Sequence, residues 1–358
     1  MTVLRYLLWP FSILYGGIML LRNLLYDKGW LSSERFDLPV IAVGNLTVGG
    51  TGKTPHVEYL LRLLTDKRTA VLSRGYRRKS KGFVLADDKA TAHTLGDEPF
   101  QYYRDFPDVT VAVCESRPAG IAQLLQLKPA PEVVVLDDAM QHRPVNPSLN
   151  LMLTDYGRPF YEDHVLPTGL LREPRQGARR ADAIIVTKCP ATLATAEMMR
   201  IDKRIRRYSR PDTPVFFSAF RYGNPVGIGN ATQLSKRVVL LTGIANASPL
   251  LHYLAEKKFE VVQHLEYPDH YSYTLADMEK LKGILEESNG KDMIIITTRK
   301  DAVKLSDGII AAATQELPIF YIPVEVYFLQ QAGEAFDELV GQHVSTFKAS
   351  IPIAGDKK

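Results

Sequence analysis

The run Thr47-Val48-Gly49-Gly50-Thr51-Gly52-Lys53-Thr54 carries the densest chemical signal in the sequence. Glycines at this spacing let successive backbone N–H groups turn inward around phosphate oxygens, while the lysine reaches the β- and γ-phosphates. The threonine hydroxyl, at the start of the following helix, binds Mg²⁺. A β-branched run precedes the segment and a helical one follows it, which is the setting a P-loop requires. Thr47 takes the first position of G-x-x-x-x-G-K-[ST], with Gly44 just upstream. A second hydrophobic run, 132–136, ends in Asp137-Asp138, and carboxylates at such a strand end face the P-loop magnesium in a Walker B arrangement. Adjacent aspartates are also common in solvated turns; the P-loop gives the pair its metal-binding reading. ATP is favoured over GTP, because the guanine-reading pattern [NT]-K-x-D meets proline at Thr187-Lys188-Cys189-Pro190. The lysine that partitioning ATPases carry before their paired glycines is Val48 here.

Other polar segments bear on the phosphoryl acceptor: SRGYRRKSKG (73–82), LGDEPFQYYRDF (95–106), DDAMQHR (137–143), TGLLREPRQGARR (168–180) and YPDHYSY (267–273). Arg74, Arg77, Arg78, Lys79 and Lys81 form a basic loop, suited to a phosphate or anionic headgroup and equally common as a solvated loop. Asp97 is either a functional carboxylate or the N-cap of a helix starting at Glu98-Pro99. His270, among tyrosines, reads alone as structural. Together with GNLTVGGTGKTP, these segments resemble the lipid A disaccharide 4′-kinase (tetraacyldisaccharide 4′-kinase) family over most of the chain. G-D-E-P, D-D-x-x-Q-H and L-R-E-P occur in the family's order. The sequence departs at Ala139-Met140, where the family usually has Gly-Phe, and at Tyr271, where a second histidine often follows Asp-His.

The resemblance implies transfer of the ATP γ-phosphate, with Mg²⁺, to the 4′-hydroxyl of a tetraacylated glucosamine disaccharide 1-phosphate at the cytoplasmic face of the bacterial inner membrane. It implies Asp97 and His270 as catalytic partners, nucleotide binding by residues 47–54, and metal binding by Thr54, Asp137 and Asp138. It further implies substrate or transition-state contacts from Arg74, Tyr76, Glu98, Arg117, Gln141, His142, Arg172 and Glu173, with Arg172 neutralising charge on the γ-phosphate. Two other functions remain open: a membrane-attached P-loop ATPase switch without a sugar-lipid acceptor, and a soluble small-molecule kinase.

These residues need a scaffold. Past residue 38, short β-branched runs at 39–43, 69–73, 109–113, 132–136, 150–153 and 183–187 alternate with stretches long enough for helices, predicting a parallel sheet covered on both faces. A second series at 238–243, 259–265, 292–298 and 319–324, with helices near 247–257 and 274–287, predicts a smaller α/β domain closing over the active site. The Gly-, Asn- and Pro-rich stretch 221–236 is the expected linker. Expected boundaries are 1–26 for a membrane-interface helix, 27–220 for the P-loop kinase domain and 221–358 for the second domain, ending in a polar tail; Asp97 then falls in the P-loop domain and His270 in the other.

The helix is the exception to a globular pattern. Tyr6–Leu21 holds no charge between Arg5 and Arg22, short of the ~20 apolar residues a spanning helix needs. On a helical wheel Arg5, Ser12, Gly16 and Asn23 fall on one narrow line among Leu, Trp, Phe, Ile and Met. That suits a helix lying in a membrane interface. The alternative is a buried core helix, and Pro10 either kinks the helix or starts it. No small-x-small cleavage site marks a secretory signal. Over all 358 residues, 46% are hydrophobic and 23% charged, values of a folded chain rather than a disordered one. A net charge of +4 gives little basis for a nucleic-acid binder, and no obligate protein partner is evident. Cys114 and Cys189 form no C-x-x-C pair, excluding a zinc knuckle or disulfide framework.

Overall fold

The computed structural model describes residues 7–287 and 293–348; Arg5, Tyr6 and the polar tail lie outside them. The strands are β1 (Val40–Asn45), β2 (Thr69–Ser73), β3 (Val84–Leu85), β4 (Thr110–Val113), β5 (Val133–Asp137), β6 (Leu149–Asp155), β7 (Ala183–Thr187), β8 (Val215–Tyr222), β9 (Val226–Gly227), β10 (Arg237–Thr242), β11 (Glu260–Glu266), β12 (Met293–Thr298), β13 (Ile319–Ile322) and β14 (Val324–Phe328). The chain packs into two units, each discontinuous in sequence. The first holds the chain up to Arg74, Asp108–Ala219 and the chain from Val326; the second holds Gly75–Pro107 and Phe220–Glu325.

The expected break near 220 is present, but two segments change sides. Gly75–Pro107, expected with the P-loop, packs in the second unit, where Arg299 Nε donates to Asp105 Oδ2 at 2.9 Å. Asp97 therefore shares a unit with His270, correcting the expectation that it lies in the P-loop domain. The chain from Val326 returns to the first unit, where Phe328 stacks on Phe336 at 4.5 Å and Phe216 meets the Phe336 ring edge-on at 5.3 Å.

In the first unit the strand order is β14-β8-β7-β6-β1-β5-β2-β4. β1 runs parallel to both β5 and β6, with Val43 opposite Asp137 and Asn45 opposite Leu153. Every residue of β1, β2, β5 and β7 is buried, as strands covered on both faces must be. This register brings the loop after β1 beside the carboxyl end of β5, the edge at which open α/β sheets bind ligands.

Helix Trp9–Asp27 carries Pro10 in its first turn, where a proline starts a helix rather than kinking it. Its buried residues are Ser12, Gly16 and Asn23, the polar line. Ser12 Oγ donates to Thr168 Oγ1 at 2.6 Å, Tyr15 Oη to the Arg172 carbonyl at 2.9 Å, and Asn23 Nδ2 to Glu173 Oε2 at 2.8 Å. Leu7, Phe11, Ile13, Leu14, Ile18, Leu21 and Leu24 are exposed. The helix is amphipathic in reverse, and the buried-core alternative is overturned.

The second unit's sheet has the order β11-β10-β12-β13-β9. β10 lies parallel between β11 and β12, and β9 closes the edge antiparallel to β13. The expected linker 221–236 is therefore partly core: Val226 and Gly227 pair with Tyr321 and Phe320, Tyr222 stacks on Tyr253 at 5.0 Å, and Ile228 is buried.

Candidate active site

The P-loop leaves β1 and enters helix Lys53–Leu63 through Gly52, whose φ of 86° is open to glycine without strain. Side chains and backbone groups around the loop fix its course. Asn45 Nδ2 donates to Thr47 Oγ1 at 3.1 Å and Thr51 Oγ1 at 2.9 Å, and Val48 N donates to the Leu170 carbonyl at 2.8 Å. Thr187 Oγ1 donates to the Thr51 carbonyl at 2.8 Å, while Lys188 Nζ donates to the Gly50 carbonyl and pairs with Asp155 at 2.7 Å. With Val48 N and Thr51 N spent on the Leu170 and Gly49 carbonyls, the cradle a phosphate would meet is made by the remaining N–H groups of the loop. Beneath the loop, His56 Nδ1 lies 2.7 Å from the Gly52 carbonyl and Nε2 2.9 Å from Ser218 Oγ. Burial pushes the His56 imidazole down to about 4, against the backbone bond to Gly52. It is neutral, so Nδ1–H donates and Nε2 accepts. Sequence reasoning missed Thr187, Lys188 and His56 in this role.

Lys53 Nζ lies 3.4 Å from Asn45 Oδ1 and 3.5 Å from Asp138 Oδ1. Arg172 Nη1 reaches both Asp138 oxygens at 2.9 Å and Gln141 Oε1 at 3.3 Å. Burial opposes ionisation of Asp138, but Lys53 and Arg172 outweigh it and hold the carboxyl below the usual carboxylate range. Arg172 is thus braced on Asp138. Gln141 Nε2 donates to the Asn45 carbonyl at 2.8 Å and Glu173 Oε1 at 2.9 Å. Met140, where the family usually has phenylalanine, is buried beside Leu46.

Two residues expected to touch substrate are buried and bonded within the protein. Arg117, 2% exposed, donates to the Cys114 carbonyl and the Asp137 carbonyl, each at 3.1 Å, tying β4 to β5. Glu173, 1% exposed, gathers Asn23, Gln141 and Arg180, the last at 2.7 Å. His142 Nε2 accepts from Arg117 N at 3.2 Å; burial, reinforced by Arg117, Arg74 and Arg22, pushes it down to about 4. Arg74 is exposed.

The second unit holds the acceptor-side candidates. Asp97 is the first residue of helix Asp97–Asp105, and Gly96, at φ 93°, is its N-cap. The N-cap alternative for Asp97 is therefore overturned. A Cβ on Gly96 would sit 3.0 Å from the Tyr76 carbonyl, so glycine both turns the chain and permits this approach. Asp97 Oδ2 lies 2.9 Å from His270 Nδ1. His270 has φ 65°, a left-handed conformation uncommon for non-glycine residues; Tyr76 packs edge-on against its ring at 5.5 Å. Sequence reasoning missed the lysines here: Lys304 Nζ is 3.4 Å from Asp97 Oδ2, and Lys300 Nζ lies 3.8 Å from Asp97, 3.1 Å from Glu98 and 3.1 Å from Asp269. The available signal was their i, i+4 spacing on one helix. Burial opposes ionisation of Asp97, but the His270 bond and the charges of Lys304 and Lys300 outweigh it and hold the carboxyl low. Tyr271 turns inward, stacking on Tyr267 at 4.3 Å with its hydroxyl 3.2 Å from Asp277.

Comparison with known proteins places this geometry in context. Residues 4–344 match the family model described as tetraacyldisaccharide-1-P 4′-kinase. The chain is 45% identical over 350 residues to a tetraacyldisaccharide 4′-kinase of Flavobacterium johnsoniae, covering 96% of this chain and 98% of that one. It is 45% identical over 335 residues to that of Cytophaga hutchinsonii, covering 91% and 92%. Among solved structures, the "apo" form of LpxK from Aquifex aeolicus in complex with ATP superposes with a TM-score of 0.73 at 31% identity, covering 96% of this chain and all of that one.

Proposed function

Because the chain belongs to the tetraacyldisaccharide 4′-kinase family, we propose that its two groups of polar side chains carry out one reaction, transfer of the ATP γ-phosphoryl group to the 4′-hydroxyl of a tetraacylated glucosamine disaccharide 1-phosphate. The protein is an ATP-dependent kinase of lipid A biosynthesis. The observation that carries the division of labour is the pairing of Asp97 with His270 at 2.9 Å, in a segment an ATPase switch would not need.

On the nucleotide side, the N–H groups of the 47–54 loop other than those of Val48 and Thr51 cradle phosphates, and Lys53 swings from Asn45 and Asp138 to their charge. Thr54, Asp137 and Asp138 supply hard oxygen donors of the kind Mg²⁺ takes. A P-loop magnesium needs only one or two protein oxygens beside phosphates and water, so the donor set fits; when bound, the ion neutralises charge on the β- and γ-phosphates. Arg172, itself oriented by Gln141, holds Asp138 in place, while Arg117 and Glu173 fix the strand ends and the loop beneath. On the acceptor side, Asp97 and His270 take the hydroxyl proton late in the transfer, for which a carboxylate of low basicity is adequate. Tyr76, Glu98, Arg74 and the basic loop through Lys81 contact the sugar or its 1-phosphate.

No described helix is long and apolar enough to cross a membrane. The exposed apolar face of helix Trp9–Asp27 supports a peripheral or monotopic site at the cytoplasmic face of the inner membrane, where the acyl chains of the substrate remain in lipid. Thin-layer assay of ³²P transfer from ATP to an acylated disaccharide 1-phosphate tests the reading. Labelled lipid is the expected result; ATP hydrolysis without labelled lipid would favour the switch.

A further inference from the structure

Helix Arg299–Leu305 presents Lys300 and Lys304 to one carboxylate oxygen. Their ammonium groups lie 3.8 and 3.4 Å from Asp97 Oδ2, the oxygen that meets His270 Nδ1. We propose that Lys304, assisted by Lys300, is a positioning residue of the acceptor site, a fixed cationic brace that holds Asp97 as an oriented anion against His270. The assignment rests on reading Asp97 and His270 as the proton-handling pair.

The brace is built rather than incidental. Lys304 is 7% exposed, and its ammonium also donates to the Tyr271 carbonyl at 3.2 Å and to Asp301 Oδ1 at 3.4 Å. Asp301 is fully buried; its other oxygen accepts from Gly243 N at 3.0 Å and Thr298 Oγ1 at 2.7 Å. A continuous chain of bonds therefore runs from the ends of β10 and β12 through Asp301 and Lys304 to Asp97. Lys300, held by Glu98 and Asp269, lies 3.3 Å from His270 Nδ1 and 3.4 Å from Nε2, the ring nitrogen that can accept from it while Nδ1–H faces Asp97. Among the described residues, the charged groups around the pair are Asp269 beside His270 Nε2 at 3.6 Å, Glu98 on the helix of Asp97, Arg77 against the Asp269 carbonyl at 3.3 Å, and the two lysines with Asp301 on the third element.

An ionised Asp97 accepts from His270 Nδ1–H, which fixes the imidazole tautomer and leaves Nε2 as the ring atom able to take a proton. In the kinase reaction the acceptor hydroxyl gives its proton to this pair as its oxygen bonds to the γ-phosphorus, while the bond from that phosphorus to the bridging oxygen breaks and ADP leaves. The lysines transfer nothing; they set the state and direction of the pair.

The test compares Lys304→Met, Lys304→Arg and Lys300→Met in the full chain. The His270 ring titration is followed by NMR, which needs no acceptor lipid, and the pH profile of kcat is followed alongside. Removing a cation makes protonation of either member easier, so the apparent pKa of the pair and the acid limb of kcat should both rise by about one unit in Lys304→Met, a ~10-fold loss on the acid side. The shift should be smaller in Lys300→Met and near zero in Lys304→Arg. Because Lys300 is nearer the surface, Lys300→Met keeps the test valid if Lys304→Met does not fold. An unmoved titration in the folded methionine variants would overturn the assignment. A wild-type protein that shows the shift against these variants but labels no lipid would instead overturn the kinase reading.

Discussion

At the scale of single residues, the proposed reaction divides groups that act on phosphate from groups that hold them. Lys53 and Thr54 belong to the first class, so Lys53→Ala and Thr54→Ala should each lower kcat by roughly 10²-fold or more with folding intact, measured by steady-state transfer. Lys188 belongs to the second: Lys188→Met releases the Gly50 carbonyl, and a loosened cradle should raise the KM for ATP with a smaller effect on kcat. Asp97→Ala and His270→Ala should each lower kcat far more than they raise that KM. Their double variant should be little worse than the poorer single, because residues acting as one unit lose their function together; losses that multiply would show independent roles. The P-loop and Walker B pair were legible because their chemistry is local, a glycine-rich turn and a strand-end carboxylate within a few residues. Lys300 and Lys304 were not, since nothing near residue 300 announces a carboxylate two hundred positions earlier. Arg117 and Glu173 carry the right residue types for a phosphate site, and their burial among internal hydrogen bonds was not legible from those types.

At the scale of elements, the helix Trp9–Asp27 inverts the usual rule that apolar faces pack inward. Its wheel was legible as a thin polar line, but the line's purpose was not, because a polar stripe reads equally as a solvated edge until Glu173 and Thr168 are seen opposite it. Asn23→Leu should cost about 1–3 kcal/mol, the penalty of a buried carboxylate oxygen losing its donor, read by urea unfolding. Leu14→Glu and Ile18→Glu, on the exposed face, should leave that transition within ~0.5 kcal/mol yet abolish co-sedimentation with anionic vesicles. Aggregated or unfolded glutamate variants would return the helix to the protein core. The strand runs of both sheets were read close to their observed bounds, because strands buried on both faces are continuous apolar runs. The edge strands β9 and β14 escaped notice, lying where glycine, proline and polar residues mask a short pairing, and β8, which lies between β14 and β7, was missed as well.

At the scale of the whole molecule, stability should depend on pH in two windows. His56 and His142 are held neutral, both pushed to about 4 by burial. The unfolded chain binds their protons first as pH falls below about 6.5, so stability is full above that value and declines toward 4, by about 2 kcal/mol at pH 5 for His56 alone. The depressed carboxyls act lower: Asp97 and Asp138 contribute stability above the ordinary carboxylate value and lose it as pH falls through their own. Urea unfolding at pH 7 and pH 5 should show the first loss, and His56→Asn should reduce it; an equal midpoint at both pH values would contradict the burial assigned to these rings. The helix has a further consequence for how the enzyme's rate is to be expressed. With its polar line bonded down and its apolar face outward, a lipid-attached molecule searches a surface for its acceptor. Velocity should then follow the mole fraction of acceptor in a mixed micelle and fall when inert detergent dilutes it, even with the amount of acceptor per volume held constant.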